Sequence, residues 1–134
     1  MKTLNLIEKA FLLKKTSLFS DINLDNLVAI AENLDSMALE SQQILFKPGQ
    51  TPLLMYIVAH GEIEISQPGT TSEIIYPGDI FGDISLFSGK KHTNHAKALS
   101  DAHLIVLTKK DVSAVIEECP EVAMKLLESF AKKI

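Results

Sequence analysis

The sequence predicts a mainly β domain with flanking helices, its strands closed into a rolled sandwich or barrel. Three observations carry this. From about Met37 to Leu107, short runs rich in isoleucine, valine and other apolar residues are cut by glycine turns at KPGQ, AHGE, QPGT, YPGD and FSGK, the punctuation of successive short strands. In GEIEIS, Ile63 and Ile65 alternate with Glu62 and Glu64, the period of two that gives a strand one buried and one wet face. Outside this stretch the apolar spacing lengthens to that of helices.

Each element follows in order. Leu4, Ile7, Phe11 and Leu12 recur at helical spacing, and Leu27, Ile30, Ala31 and Leu34 do so after the break at TSLFSDIN, so helices occupy about 3–34. Asn23 or Asp25 is placed to cap the second helix by accepting bonds from its free N–H groups. Strands fill about 37–107. Thr108 and Asp111 then have capping-box spacing ahead of Val112, Val115 and Ile116, and Pro120 opens a last helix, since proline is tolerated in a first turn. Val122, Leu126, Leu127, Phe130 and Ile134 form its apolar stripe, expected to pack on the roll or to pair with a second copy or a partner domain. The closing helices run over about 109–133, and 1–134 is expected to be one domain.

Composition narrows the function. With 134 residues and 46% hydrophobic content there is material for one core. A formal net charge of −4 argues against a nucleic-acid surface, which needs a dense cationic stripe. Cys119 is the only cysteine; it excludes an intrachain disulfide, suits a reducing cytoplasm and reads as an inert core thiol. The opening MKTLNLIEKAFLLKK is an amphipathic helix rather than a signal peptide, because Glu8 and Lys9 interrupt it and no small-residue cleavage site follows. No stretch nears the roughly 18 apolar residues of a membrane span. All thirteen basic residues are lysine, so the chain owns no planar two-point fork for a phosphate.

The stretches LFKPGQTPLLMYIVAHGEIEI, with Gly49 and Gly61, and YPGDIFGDISL, with Gly78 and Gly82, together resemble the cyclic nucleotide-binding domain of catabolite-activator-like regulators and cAMP-dependent kinase regulatory subunits. The resemblance covers nearly the whole chain. It implies a β-roll regulatory domain, not an enzyme, in a bacterial and cytoplasmic signalling setting, with no cofactor and with cAMP or cGMP as the candidate ligand. It also implies a phosphate-binding cassette: Gly82, Asp83, Ile84, Ser85, His92 and Thr93 as the ligand-contacting set, with Gly78, Phe81, Lys90, Lys91 and Ala98 in support.

Two positions depart from the family pattern. Asp83 stands where the family has the glutamate that meets the ribose, and His92 where it has the arginine that pairs with the cyclic phosphate; Asn94 and His95 replace the usual small pair. The shorter acid places its carboxylate roughly 1.5 Å further away. Losing one partner of a buried charge pair costs about 2 to 5 kcal/mol, or roughly 30-fold to a few thousand-fold in affinity. Backbone N–H groups of the short helix after Gly82, Lys90, Lys91 and a protonated His92 are the available compensation, and binding through His92 is expected to strengthen toward about pH 6. The leading reading is therefore a sensor domain with weak, altered or absent cyclic nucleotide binding, or one that takes another small anion. The alternative is an interaction or dimerisation module on the same fold. A cupin-like metal enzyme is more remote: His60, His92, His95 and His103 include no His-x-His pair, and on a strand His92 and His95 would point to opposite faces.

Overall fold

The computed structural model describes residues 4–133. Two helices open the chain, α1 (Leu6–Lys14) and α2 (Leu24–Ala31). Asn5 and Glu8 form a capping box on α1, and the Asn23 side chain accepts from Asn26 N–H to cap α2. The strands are β1 (Asp35–Leu39), β2 (Ile44–Phe46), β3 (Met55–His60), β4 (Ile63–Ser66), β5 (Glu73–Ile75), β6 (Ile80–Phe81), β7 (His95–Ala98) and β8 (Ala102–Leu107), with the short helix α3 (Asp83–Ser88) between β6 and β7. Helices α4 (Lys109–Glu118) and α5 (Glu121–Lys132) close the described chain; Thr108 and Asp111 make the expected capping box on α4, and Pro120 precedes α5.

The strands form two four-stranded antiparallel sheets, ordered β1-β8-β3-β6 and β2-β7-β4-β5. This is the predicted β-roll. β3 and β8 lie at the centre of the first sheet and are buried on both faces. Met55, Ile57, Ala59, Ile105 and Leu107 face a core shared with Leu13, Phe19, Leu27, Val112, Val122 and Leu126 of the helical segments. Tyr56, Val58, Leu104 and Val106 face the second core, inside the roll, with Leu39, Phe46, Ile63 and Ala96. The unbroken apolar run MYIVA follows from that double burial, since a strand covered on both sides has no wet face to mark with polar residues. At the β3–β4 turn, Gly61 has φ +83°, and a Cβ there would sit 2.6 Å from Asp101 O. The glycine lets that turn touch the β7–β8 turn.

Two helical stripes differ from the sequence reading. On α1, Ala10 and Leu13 are the buried residues, while Ile7 and Phe11 face outward. That helix carries apolar residues all round, so spacing alone does not single out its packed face. On α5, Val122 and Leu126 are buried and Phe130 packs partly against the same core, but Leu127 is 60% exposed. Positions four apart stack on one face, and Leu127 lies a step round from Val122, Leu126 and Phe130. Ile134 lies outside the described residues.

This packing generates a contrast between neighbours. Leu126→Asp buries an unpartnered charge and should cost about 3 kcal/mol or more, whereas Leu127→Asp should change stability by less than about 0.5 kcal/mol. Urea denaturation of the two variants beside the wild type measures both, and equal losses would reject the assigned face.

Candidate functional site

Two aromatic rings and a glycine shape the cassette. Tyr56 and Phe81, cross-strand partners on β3 and β6, stack with centroids 4.9 Å apart. Gly82 lies directly over Tyr56 with φ +77°, and a Cβ at that position would meet Tyr56 Cδ2 at 3.0 Å and Leu54 O at 3.3 Å. Only glycine meets both demands, the left-handed backbone and the closeness to the ring. The chain then turns at once into α3, whose first residue is Asp83.

Beside α3 is a cavity of about 480 Å³, within the size range of small-molecule sites. Ile65, Glu73 and Ile75 of the second sheet form one wall, residues 80–85 another, and Phe46 with the segment 92–94 a third; Lys132 and Lys133 reach it from the end of α5. Seven of the sequence-derived residues therefore line this cavity, namely Phe81, Gly82, Asp83, Ile84, Ser85, His92 and Thr93, with Asn94 beside them. The other candidates stand apart. Lys90 and Lys91 are exposed and outside the lining, so neither supplies charge to the cavity wall. Gly78 lines a neighbouring cavity of about 250 Å³. Ala98 is buried within β7 opposite Ile63, and His95 starts β7 away from the lining.

Asp83 is only 2% exposed. Its carboxylate is held by Lys133, whose Nζ donates to Oδ1 at 2.7 Å and to Oδ2 at 2.8 Å, and also to the carbonyl of Ile80 at 3.3 Å. The acid that the resemblance assigns to a ligand hydroxyl is thus paired within the chain, by a residue 50 positions away. Sequence reasoning passed over Lys133. Its only signal is that α5 ends in lysines, which many solvated helix ends do.

His92 is fixed twice. Its backbone N–H donates to Gln50 O at 2.9 Å, and its carbonyl accepts from Gly49 N–H at 2.8 Å. Its ring stacks on Phe46 with centroids 3.7 Å apart and planes 6° from parallel. The residue is 6% exposed, and burial lowers its pKa from the ordinary histidine value. The imidazole therefore stays neutral to lower pH than a free one, and any gain in anion affinity through its charge moves below about pH 6.5. His60 and His103 face each other elsewhere, 5.9 Å between ring centroids. Among the described residues no three His, Cys, Asp or Glu side chains cluster with metal-binding geometry. Cys119 is buried, and burial first, then Glu121 and Glu118, push its thiol pKa up, which favours the unreactive protonated form. Among the described residues no helix is long and apolar enough to cross a membrane.

A left-handed glycine between β6 and a short helix, a buried acid and an adjoining cavity sit together on a two-sheet β-roll. The family model described as "Cyclic nucleotide-binding domain" matches residues 37–119, and the chain belongs to that family. The crystal structure of Thermus thermophilus catabolite activator protein superposes with a TM-score of 0.79 at 23% identity, covering 88% of this chain and 58% of that one. Among curated relatives, the CRP-like cAMP-activated global transcriptional regulator of Mycobacterium tuberculosis is 20% identical over 128 residues, 92% of this chain and 57% of its own length. Human cyclic nucleotide-gated channel alpha-3 is 28% identical over 130 residues, 91% of this chain and 19% of the channel. The chain thus spans less than two thirds of each of these proteins.

The buried histidine sets a pH signature. Because its folded pKa lies below the unfolded value near 6.5, the unfolded chain binds more protons as pH falls through that value. The stability contribution is complete above about pH 6.5 and declines below it. Wild type should therefore lose stability between about pH 7 and about pH 5.5 more steeply than His92→Gln, as read from urea midpoints, and parallel curves would show that residue 92 titrates alike in both states.

Proposed function

We propose that this chain is a non-enzymatic regulatory domain whose cavity takes cyclic nucleotides only weakly. The observation that carries the reading is the fate of position 92. The family's phosphate-pairing arginine is replaced by an imidazole that packs against Phe46 and is held toward its neutral form. Its consequence is a cavity with the family's shape but without its two-point phosphate contact. Phe81, Gly82 and Ser85 keep that shape, and Thr93 still offers a hydroxyl at the rim. A cAMP- or cGMP-sized anion is the ligand class that suits it, with the nucleotide-responsive regulator and channel among its relatives as support.

A second reading has its own support. α5 presents Met124 and Leu127 outward, and a domain that has lost its ligand contacts can persist as an interaction module, as a homodimer or against another domain. In that case the cavity is a remnant and α5 the working surface. A cytoplasmic setting fits both readings.

Calorimetry with cAMP and cGMP separates them. The wild type should bind weakly or not at all, and His92→Arg with Asp83→Glu should raise affinity more than tenfold, each single change giving less. Tight wild-type binding would show that the arginine is dispensable here. A folded but silent double variant would favour the interaction module.

A further inference from the structure

The cavity holds an internal occupant of its own acid. Lys133 Nζ has three N–H donors, and three acceptors lie within bonding distance: both carboxylate oxygens of Asp83 and the Ile80 carbonyl. Among the described residues these three acceptors surround the ammonium group. Asp83, for its part, has a side chain only 2% exposed and is met on both oxygens by this one ammonium group, whereas the Lys133 side chain is 33% exposed. The acid is therefore shielded from solvent, and the partly exposed lysine, on its long stem, is the partner with room to leave. Lys133 also lines both the 480 Å³ cavity and the 250 Å³ one beside it, together with Glu73, Ile75 and Ile80, so its stem lies where the two spaces adjoin.

We infer that Lys133 is a built-in competitor for Asp83: a ligand hydroxyl reaches that carboxylate only when the lysine leaves it. This rests on the sensor reading above and adds a second determinant of its affinity, outside the cassette. The competition is a matter of donors. A ligand diol offers neutral O–H groups to a carboxylate that already has a full ion pair with Lys133 and is only 2% exposed, so the ligand must exchange an ammonium contact for hydroxyl contacts at a buried acid. An intramolecular partner also needs no capture from solution. Weak binding then has two sources, the missing arginine and the resident lysine, and they are separable by mutation. The pair also fastens the end of α5 to α3, where Phe130 meets Phe87 with ring centroids 5.7 Å apart. Eviction of Lys133 therefore loosens the last turn of α5.

Four proteins test this: the chain as it stands, Lys133→Met, His92→Arg, and His92→Arg with Lys133→Met, each titrated with cAMP and cGMP by calorimetry. Methionine keeps the apolar stem and removes the donors. The expected result is at least a tenfold gain from Lys133→Met in the His92→Arg background. If His92→Arg binds and Lys133→Met adds nothing, or weakens binding, the competition is overturned while the sensor reading stands. If none of the four binds, both fall. Should Lys133→Met fold poorly because Asp83 is left unpaired, Asp83→Asn with Lys133→Met supplies a neutral version of the pair. In it, hydrogen exchange should speed up at the amides of 130–133 and stay unchanged near Val122. Unaltered exchange at 130–133 would overturn the fastening of α5.

Discussion

Double burial of β3 and β8 is the constraint on which the rest of the molecule depends. Each strand must satisfy two cores at once, one under the helices and one inside the roll. Successive side chains on a strand point to opposite faces, so a slip of one residue would exchange the two sets, putting Tyr56 and Val58 among the helices and Met55 and Ile57 inside the roll. The register of the first sheet is thereby fixed, and with it the place of Phe81 beside Tyr56 and of Gly82 above that ring. The cassette inherits its geometry from the core rather than from its own loop.

The same logic explains what could be read in advance. The strands, the turn glycines and the Thr108–Asp111 box are written in local residue types, and the structure places them where the sequence does; of the two caps the sequence offers for α2, Asn23 and Asp25, it uses Asn23. The outward Ile7, Phe11 and Leu127 were not legible, because which side of a helix is covered depends on a neighbour that spacing does not name. In the candidate site, Gly82, Asp83, Ile84, Ser85, His92 and Thr93 are named together by one motif, and they line one cavity. Lys133 and Phe46 were missed for the opposite reason. They arrive from distant elements, and only the closed fold makes either a neighbour of the cassette.

Charge distribution around the cavity follows from this arrangement. Lys90 and Lys91, close to the cassette in sequence, stand in solvent, whereas Lys133, far from it in sequence, reaches its buried acid. A buried carboxylate is costly unless paired and hydrogen-bonded. α5 meets that need here, and the helix end and the cassette are consequently parts of one electrostatic unit. Asp83 and His92 also line a common space, so substitutions at the two positions need not add.

The stack of His92 on Phe46 limits what a substitution at position 92 can do. A flat ring fills the slot against Phe46 while two backbone bonds tie residue 92 to the 49–50 turn. Arginine placed there must either lie flat on the same phenyl face, with its charge inside the wall, or swing into the open and leave Phe46 uncovered. Placing an arginine at position 92 is therefore a repacking problem as well as a charge problem.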